Sequence, residues 1–355
     1  MKRGLPGSKA HWAASLLALA GLLLAGCDAP EDVYRTRFEA MGTLVDVNIA
    51  GADPAEAASA AAAVEALFHD RERRWDPWGD GELGALNEAL RQAGTAQPSE
   101  ELGRILADAA AISTLSDARF DPAVGTLTLL WGFSRDDIAP TAPPDPERLR
   151  ETVADLRPVA DLLTDGGAVS TPGGTLIDLG GFAKGVAVDE AIELLRSRGV
   201  SDAIVNAGGD LRAYGSAGDR PWRIGIRHPR AEGIMAGLEI KDDESVFTSG
   251  DYERFFEADG RRYHHILNPA TGYPATGISS VTVVHRDAAI ADAAATALFV
   301  AGPDDWPEVA SRLDLQQVMV VEDNGRIHLS PAMKSRLWFP GDGPPGDQVV
   351  VRNIP

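Results

Sequence analysis

The order of hydrophobic and polar residues predicts strands and helices from the first third of the chain onwards. Apolar residues mark one partly buried face of a strand from Thr36 to Ile49. Asp53-Pro54 then supplies the cap and the first turn of an alanine-rich helix that ends near residue 74. A second helix is predicted from Ser99 to about Leu115, and the segment WDPWGDGELGALN between the two helices is predicted to be a loop.

The second half of the chain mixes neighbouring strands with long helices. Helices are predicted up to about residue 198, at 288–300 and near 303–312, and strands at 203–206, 222–227, 236–248, 279–285, 316–321 and 326–329. Runs of adjacent strands favour an α+β fold, with mixed, largely antiparallel sheets and packed helices, over a doubly wound α/β sheet. Four prolines place residues 134–148 in a surface excursion, and the Pro/Gly-rich end from Gly341 is expected to be loosely held.

The segment IDLGGFAKGVAVDEA, residues 177–191, places a carboxylate, two glycines and a lysine close together in sequence. Ile177 to Leu179 has the apolar character of the end of a buried strand, Gly180-Gly181 interrupts it, and apolar residues then recur at helical spacing. Free N–H groups at the start of a helix favour an anion, and Lys184 adds a positive charge. The spacing matches neither the Walker nor the Rossmann pattern. Two interpretations stay open, a phosphate-binding turn and a simple connector.

The N-terminal residues have the pattern of a bacterial lipoprotein signal. Basic residues precede an apolar run that ends in Leu24-Ala25-Gly26-Cys27. The run is shorter than the roughly 20 residues that span a bilayer core, which makes an uncleaved anchor helix the weaker alternative. We expect a signal peptide over residues 1–26, then lipid attachment at Cys27 and a tether over residues 27–36. Asp28 resembles an inner-membrane retention signal, so a lipid-anchored position on the periplasmic face of the inner membrane is expected.

The charge of the chain argues against nucleic acid as a partner. The full sequence has 33 Lys and Arg against 53 Asp and Glu, a formal net charge of −20. Cleavage before Cys27 would remove three basic residues and no acidic ones, and so would make the charge more negative still. Binding to phosphate backbones needs clustered cations, which this sequence lacks. Because Cys27 is the only cysteine, an internal disulfide or a cysteine-based metal site is excluded.

Asp292 and Thr296 lie four residues apart on a predicted helix, so their side chains share one face. A carboxylate and a hydroxyl suit Mg²⁺, which accepts one or two protein oxygens together with waters and phosphates. Mid-helix threonine also often bonds back to a carbonyl, and aspartate is usually solvated, so a purely structural interpretation stays open. The small and apolar neighbours favour the metal, because a buried carboxylate without a cation is costly.

Two adjacent histidines, His264 and His265, precede the turn NPATG. Histidine is the most frequent general base near neutral pH. Neighbouring residues of a strand point to opposite faces, so one of the two at most is expected to face a given site. A surface histidine in a turn is the alternative for each of them.

Eight segments together resemble one family, the bacterial FAD:protein FMN transferases or ApbE family, over about residues 35–330. In chain order they are FEAMGT, the W-D-P and GELGALN loop, RFDPAVGTLTLLWGF, IDLGGFAKGVAVD, NAGGDLRAYG, VFTSGDYERFF, HHILNPATGYP and ADAAATALF. The resemblance implies a transferase domain over residues 37–335, followed by a C-terminal tail over residues 336–355.

The resemblance also implies roles for individual residues. The residues expected to line an FAD pocket are Met41, Trp75, Arg119, Phe120, Asp121, Asp178, Lys184, His265, Ile266 and Leu267. Mg²⁺ is expected on the carbonyl of Gly181 with Asp292 and Thr296. Catalytic roles are implied for Lys184, Asp292 and His265, the last as the base that takes a proton from the acceptor.

The implied activity is Mg²⁺-dependent cleavage of FAD, with FMN attached through a phosphoester to a threonine of a target protein and AMP released. The family's targets are subunits of Na⁺-translocating NADH:quinone reductases and Rnf-type electron-transfer complexes. Two alternatives use the same pocket, a flavin-nucleotide-binding lipoprotein without transfer activity and an FAD pyrophosphatase. Two positions depart from the family pattern: Trp75 replaces a tyrosine, and Asn268 stands where aspartate is usual.

Overall fold

The computed structural model describes residues 33–134, 141–171, 173–341, 343–344 and 346–355. The predicted signal peptide, Cys27 and most of the predicted tether lie outside the described residues. Residues 33–36, which we assigned to the tether, instead begin the first strand. Within the described part of the chain, no helix combines the length and the apolar character needed to cross a membrane.

Fifteen strands are found in the described residues. They are β1 (Val33–Ala40), β2 (Thr43–Ala50), β3 (Thr95–Ala96), β4 (Val169–Ser170), β5 (Asp202–Ala207), β6 (Asp210–Tyr214), β7 (Arg223–Arg227), β8 (Ile234–Glu239), β9 (Asp243–Gly250), β10 (Phe255–Ala258), β11 (Arg261–His264), β12 (Ile278–His285), β13 (Gln317–Glu322), β14 (Ile327–Leu329) and β15 (Val349–Val351).

Nine α-helices accompany these strands in the same described residues. They are α1 (Pro54–Trp75), α2 (Glu82–Ala93), α3 (Glu100–Leu115), α4 (Gly125–Trp131), α5 (Pro146–Asp155), α6 (Val159–Leu162), α7 (Ala183–Ser197), α8 (Ala288–Arg312) and α9 (Pro331–Lys334). The cap predicted for α1 is present, because Asp53 accepts hydrogen bonds from two N–H groups of α1. Ser99, where the second helix was predicted to begin, accepts one from α3.

One large sheet organises the molecule and confirms the α+β prediction. Its strand order is β1-β2-β5-β6-β9-β12-β13-β14-β15, and every neighbouring pair is antiparallel except β14 with β15. Three two-stranded sheets, β3-β4, β7-β8 and β10-β11, lie beside it. The alternation of side chains along each strand gives the large sheet two faces, and both are covered.

The larger hydrophobic core lies between one face of this sheet and the helices. Helix α7 packs on β5 and β6, α8 packs on β9 and β12, and α7 and α8 contact each other. The other face, with residues such as Leu211 and Val246, packs on the β7-β8 hairpin. Because both faces are covered, seven of the eight residues of β12 are buried. The two helices that carry the predicted site are thus held side by side on a buried sheet.

Several predicted elements have different bounds in the structure. The single strand predicted for 36–49 is a hairpin, because Met41 and Gly42 both adopt positive φ and reverse the chain. The stretch ELGALN of the predicted loop begins helix α2, and the strand predicted for 236–248 is divided between β8 and β9. The split predicted between 300 and 303 is confirmed as a break inside α8, where Gly302 has φ 81°.

The segment Ile177–Leu179, predicted as the end of a buried strand, forms no strand in the structure. The side chain of Asn87 replaces a neighbouring strand: its Nδ2 donates to Ile177 O and its Oδ1 accepts from Ile177 N, each at 2.8 Å. The N–H of Asp178 donates to Pro122 O at 2.7 Å. The prediction that the C-terminal end is loosely held is wrong in part. Strand β15 pairs with β14, and Ser311 Oγ donates to Pro355 O.

Candidate active site

The glycine turn and the start of helix α7 form one side of the site. Helix α7 begins at Ala183, and its N-cap residue Phe182 makes no side-chain hydrogen bond with the helix. The N–H of Gly185 instead donates to Asp292 Oδ2 on α8 at 3.1 Å. A carboxylate at the start of a helix is favoured by the helix dipole. Asp292 therefore links the start of α7 to α8.

Helix α8 brings the predicted metal ligands together with the turn. A Cβ atom added to Gly181 would lie 3.2 Å from Thr296 Oγ1, so the glycine backbone and this hydroxyl are close neighbours. Thr296 Oγ1 is also 3.2 Å from Ser249 Oγ at the end of β9. Asp292 is 5% exposed. Gly181 and the pair Asp292 and Thr296, predicted from two separate motifs, thus lie close together in the fold.

Charge balance in the site centres on Lys184. Its ammonium donates to Asp210 Oδ2, and Asp210 Oδ1 accepts from Thr248 N at 2.9 Å. Burial acts to lower the pKa of Lys184, but the negative charges of Asp210 and Asp292 outweigh burial and raise it. The lysine is therefore a permanent cation beneath the turn.

At Asp292, in contrast to Lys184, the effect of burial on the pKa outweighs the effect of the neighbouring charges. Burial raises the pKa of its carboxyl group to about 7, against the positive charge of Lys184 and the Gly185 N–H, which act to lower it. An anion at this position needs further positive charge. A cation placed on the Asp292 carboxylate would supply it.

The donor set fits a hard divalent cation. The carboxylate of Asp292, the hydroxyl of Thr296 and the carbonyl of Gly181 are all oxygen ligands, the type that Mg²⁺ prefers. Oδ2 of Asp292 accepts from Gly185 N, and among the described residues its Oδ1 accepts no hydrogen bond. These three groups are therefore the residues that would hold Mg²⁺.

The two histidines have different environments. His264 is 5% exposed, its Nε2 donates to Ala275 O at 2.8 Å and its Nδ1 accepts from Ile266 N, so both nitrogens are used inside the protein. His265 is half-buried, and its Nδ1 lies 3.2 Å from Arg254 O. A carbonyl only accepts, so Nδ1 carries the proton and Nε2 keeps a free lone pair.

The positive charge of Lys184 acts on the pKa of His265. Burial lowers the pKa of His265 to about 3, and the positive charges of Arg254 and Lys184 act in the same direction. The imidazole is therefore neutral at pH 7, which is the form that can accept a proton. Of the two histidines, His265 has the geometry of a base.

Met41 occupies a strained turn beside the site. Its φ of 52° and the φ of 70° at Gly42 place both central residues of the β1-β2 turn in the left-handed region. Methionine adopts this region at an energetic cost, and the Met41 N–H is fixed by Glu72 Oε1 at 2.7 Å. The turn lies next to the one before β6, because Gly208 N donates to Leu44 O at 2.9 Å. The turn that carries Met41 therefore lies beside the Gly208-Gly209 turn that precedes Asp210.

The run Arg119 to Asp121 lies next to the glycine turn, and its three residues differ in role. The ring of Phe120 lies 3.5 Å from a Cβ added to Gly181 and packs on Phe182. Arg119 pairs with Asp305 at 3.3 Å. The carboxylate of Asp121 is 6% exposed and accepts from Ser113 Oγ and from the N–H groups of Ala123 and Val159. Asp121 therefore supports the local fold, and its contact with FAD stays a prediction.

The side chains of the remaining predicted pocket residues are buried or half-buried. Trp75 is 3% exposed and has Arg71 over its ring, so neither face is open for a flavin to stack. The side chains of Ile266 and Leu267 are buried as well. Asp178 is half-buried, and its Oδ1 accepts from Gly180 N at 2.8 Å. Contacts of these four residues with FAD stay predictions.

Sequence reasoning assigned no role to two residues that the structure places in the site. Asp210 follows the glycine turn of NAGGD, and Ser249 ends the strand of VFTSG. Both segments contributed to the family resemblance, but it assigned neither residue a role. The antiparallel pairing of β6 with β9 brings their strands together, and the helices α7 and α8 place Lys184 against Asp210 and Thr296 against Ser249.

Comparisons with known proteins identify relatives that share one name. A relative from Rhodobacter capsulatus named FAD:protein FMN transferase is 37% identical over 97% of this chain and 67% of its own length. A relative of the same name from Vibrio cholerae is 31% identical over 92% of this chain and 99% of its own length.

Solved structures show the same fold. The crystal structure of the ApbE protein from Thermotoga maritima superposes with a TM-score of 0.78 at 32% identity, covering 86% of this chain and 99% of that one. The flavin transferase ApbE from Vibrio cholerae superposes with a TM-score of 0.75 at 27% identity, covering 86% of this chain and all of that one. The sequence model of the ApbE family matches residues 41–320. This match, together with the sequence relatives and the solved structures, shows that the chain belongs to the ApbE family.

Proposed function

We propose that the protein is a Mg²⁺-dependent FAD:protein FMN transferase. In the proposed reaction the hydroxyl oxygen of a target threonine forms a bond to the phosphorus of the FMN half of FAD. The bond from that phosphorus to the bridging oxygen breaks, and AMP leaves with that oxygen. The threonine proton passes to a base, so the products are a phosphoester-linked FMN on the target and AMP. Relatives with this name support the proposal.

One observation supports this chemistry more than any other. The cation of Lys184, the carboxylate of Asp292 and the Gly181–Thr296 contact meet at the start of α7. A pyrophosphate carries negative charge that both a lysine and a metal ion can balance. The pairing of a permanent cation with an oxygen donor set is what a pyrophosphate-cleaving site requires.

Gly181, Asp292 and Thr296 would hold the metal. When bound, Mg²⁺ would neutralise charge on the pyrophosphate and on the departing AMP. Lys184 contributes a second positive charge and orients the phosphates. His265 is the proposed base, because its Nε2 lone pair can accept the threonine proton while the Arg254 carbonyl fixes the ring through Nδ1. No covalent intermediate on the enzyme is required.

We further propose that the mature protein is attached to the periplasmic face of the inner membrane by lipid on Cys27. The pattern of residues 1–28 supports this placement. Targets would then be membrane-bound electron-transfer proteins, such as subunits of Na⁺-translocating NADH:quinone reductases or Rnf-type complexes with an acceptor threonine.

Incubation of residues 28–355 with FAD, Mg²⁺ and a soluble FMN-binding domain of such a subunit tests the proposal. Intact mass spectrometry should show a gain of one FMN less water on the acceptor. An acceptor with its threonine changed to valine is the matched control and should gain nothing. Free FMN and AMP with no mass gain on the intact acceptor would show a pyrophosphatase instead, and FAD left uncleaved would show a flavin-binding protein.

A further inference from the structure

Asp189 lies on α7 one turn and a half after Lys184, outside the site described above. Its carboxylate reaches the N-terminus of α8: Oδ2 accepts from Ala288 N at 2.9 Å and from Ala289 N at 3.1 Å. These are first-turn N–H groups that have no partner within their own helix. A residue of one helix therefore caps another.

Arg212 on β6 holds this carboxylate in place. Its Nη1 donates to Asp189 Oδ1, while its Nε and Nη2 donate to the two oxygens of Asp243 at 2.9 and 2.7 Å. The Arg212 side chain is 12% exposed and that of Asp189 20%, so water screens the pair only in part. A guanidinium fixed at both ends leaves Asp189 little freedom to move.

The same stretch of α7 approaches α8 closely at a second point. A Cβ added to Gly185 would lie 2.5 Å from both Ala288 O and Ala289 Cα. The two helices therefore touch through backbone atoms beside the Asp189 cap. The Gly185 N–H bond to Asp292 follows one turn further along α8. Through these contacts the start of α8 is fixed against the start of α7, which follows the glycine turn.

We propose that Asp189 is a positioning residue that fixes the metal ligands of α8 against the glycine turn. Asp292 lies four residues after Ala288 and Thr296 lies eight after it, so a shift at the start of α8 displaces both ligands together. Gly181, the third ligand, is on the α7 side of this joint. The inference rests on the magnesium site of the proposed function. Asp189 acts through the helix and touches neither substrate nor metal.

Mn²⁺ binding to the FAD-free protein, followed by electron paramagnetic resonance, tests the inference without relying on activity. We expect Asp189→Ala to raise the Kd for Mn²⁺ by about tenfold or more. Asp189→Asn keeps an oxygen acceptor for Ala288 N but loses the charge facing Arg212, so a smaller rise of about two- to fivefold is expected. If the alanine variant does not fold, the asparagine variant carries the test.

Asp287→Ala is the matched control. Asp287 caps the same helix by accepting from Ile290 N at 2.8 Å, but it makes no bond to α7 in the described residues. We expect this variant to lower the Tm and to leave the Kd for Mn²⁺ within about twofold. Equal effects of Asp287→Ala and Asp189→Ala on the Kd, or an unchanged Kd in both Asp189 variants, would overturn the inference. A wild-type protein that binds no Mn²⁺ would overturn the magnesium site itself.

Discussion

The ammonium of Lys184 and the carboxylate of Asp210 form an ion pair in which each residue is held by a different layer of the fold. Lys184 belongs to α7, and Asp210 begins β6 and accepts from Thr248 N on β9. The pair fixes the lysine beside Asp292 while leaving 29% of its side chain exposed. A cation that is both anchored and accessible can meet an anionic substrate.

Lys184→Met should slow turnover by at least about tenfold, which corresponds to about 1.4 kcal/mol of lost transition-state stabilisation. The change removes the positive charge proposed to face the pyrophosphate. It is measured as kcat/KM for FAD with a saturating acceptor. Lys334→Met, a change of an exposed lysine on α9, is the matched control and should leave kcat/KM unaltered. Unchanged kinetics in Lys184→Met would show that the lysine does not face the substrate.

Gly185→Ala should destabilise the protein by about 2 kcal/mol or more, because the added Cβ meets backbone atoms of α8 that cannot turn away. Gly103→Ala in α3 is the control, since its Cβ would meet only Pro98 Cγ at 3.7 Å. That change should stabilise by up to about 1 kcal/mol, as alanine does in a helix. Urea unfolding measures both. A Gly185→Ala protein as stable as wild type would contradict the close contact between α7 and α8.

The substitution Met41→Asn distinguishes the effect of backbone strain on stability from the effect of the side chain on FAD affinity. Asparagine tolerates the left-handed region better than methionine, so stability should stay equal or rise by up to about 1 kcal/mol. FAD affinity should fall, because the side chain expected to line the pocket is lost. Thermal unfolding and FAD fluorescence titration report the two effects. Met41→Leu keeps an apolar side chain and should retain affinity. Full affinity in Met41→Asn would remove Met41 from the pocket.

His265 makes stability depend on pH. Burial lowers its pKa to about 3, so the folded state binds the proton less tightly than the unfolded chain. The resulting stability is complete above about pH 6.5, the usual pKa of histidine, and is lost as the pH falls toward 3. The free energy of unfolding of His265→Gln should therefore fall less steeply from pH 6.5 to 4, by at most about 1.4 kcal/mol per pH unit. Parallel curves from urea unfolding at each pH would contradict the lowered pKa.

Local patterns were sufficient for much of this fold. The cap of α1, the start of α3 at Ser99 and the break at Gly302 depend on residues close in sequence, and the structure has them as predicted. The hairpin at Met41 was missed because its turn needs a methionine at positive φ, which no propensity favours. The isolated segment at Ile177 was missed because its partner, the Asn87 side chain, lies 90 residues away.

The same distinction applies to the site. Asp292 and Thr296 could be paired from helical spacing alone. Their approach to Gly181 and the ion pair of Lys184 with Asp210 depend on the order of β6, β9 and β12 in the sheet, which hydrophobic patterning does not determine. The resemblance to a family supplied the missing long-range information for most positions, but not for Asp210 or Asp189.

The ratio of AMP released to FMN covalently bound to the acceptor tests the proposed transfer most directly. Both quantities can be followed in one reaction of residues 28–355 with FAD, Mg²⁺ and the FMN-binding domain, by chromatography and intact mass. We predict one AMP for each FMN attached, and no AMP when the acceptor threonine is valine. AMP that forms at the same rate with either acceptor, with FMN left free in solution, would contradict the proposed function.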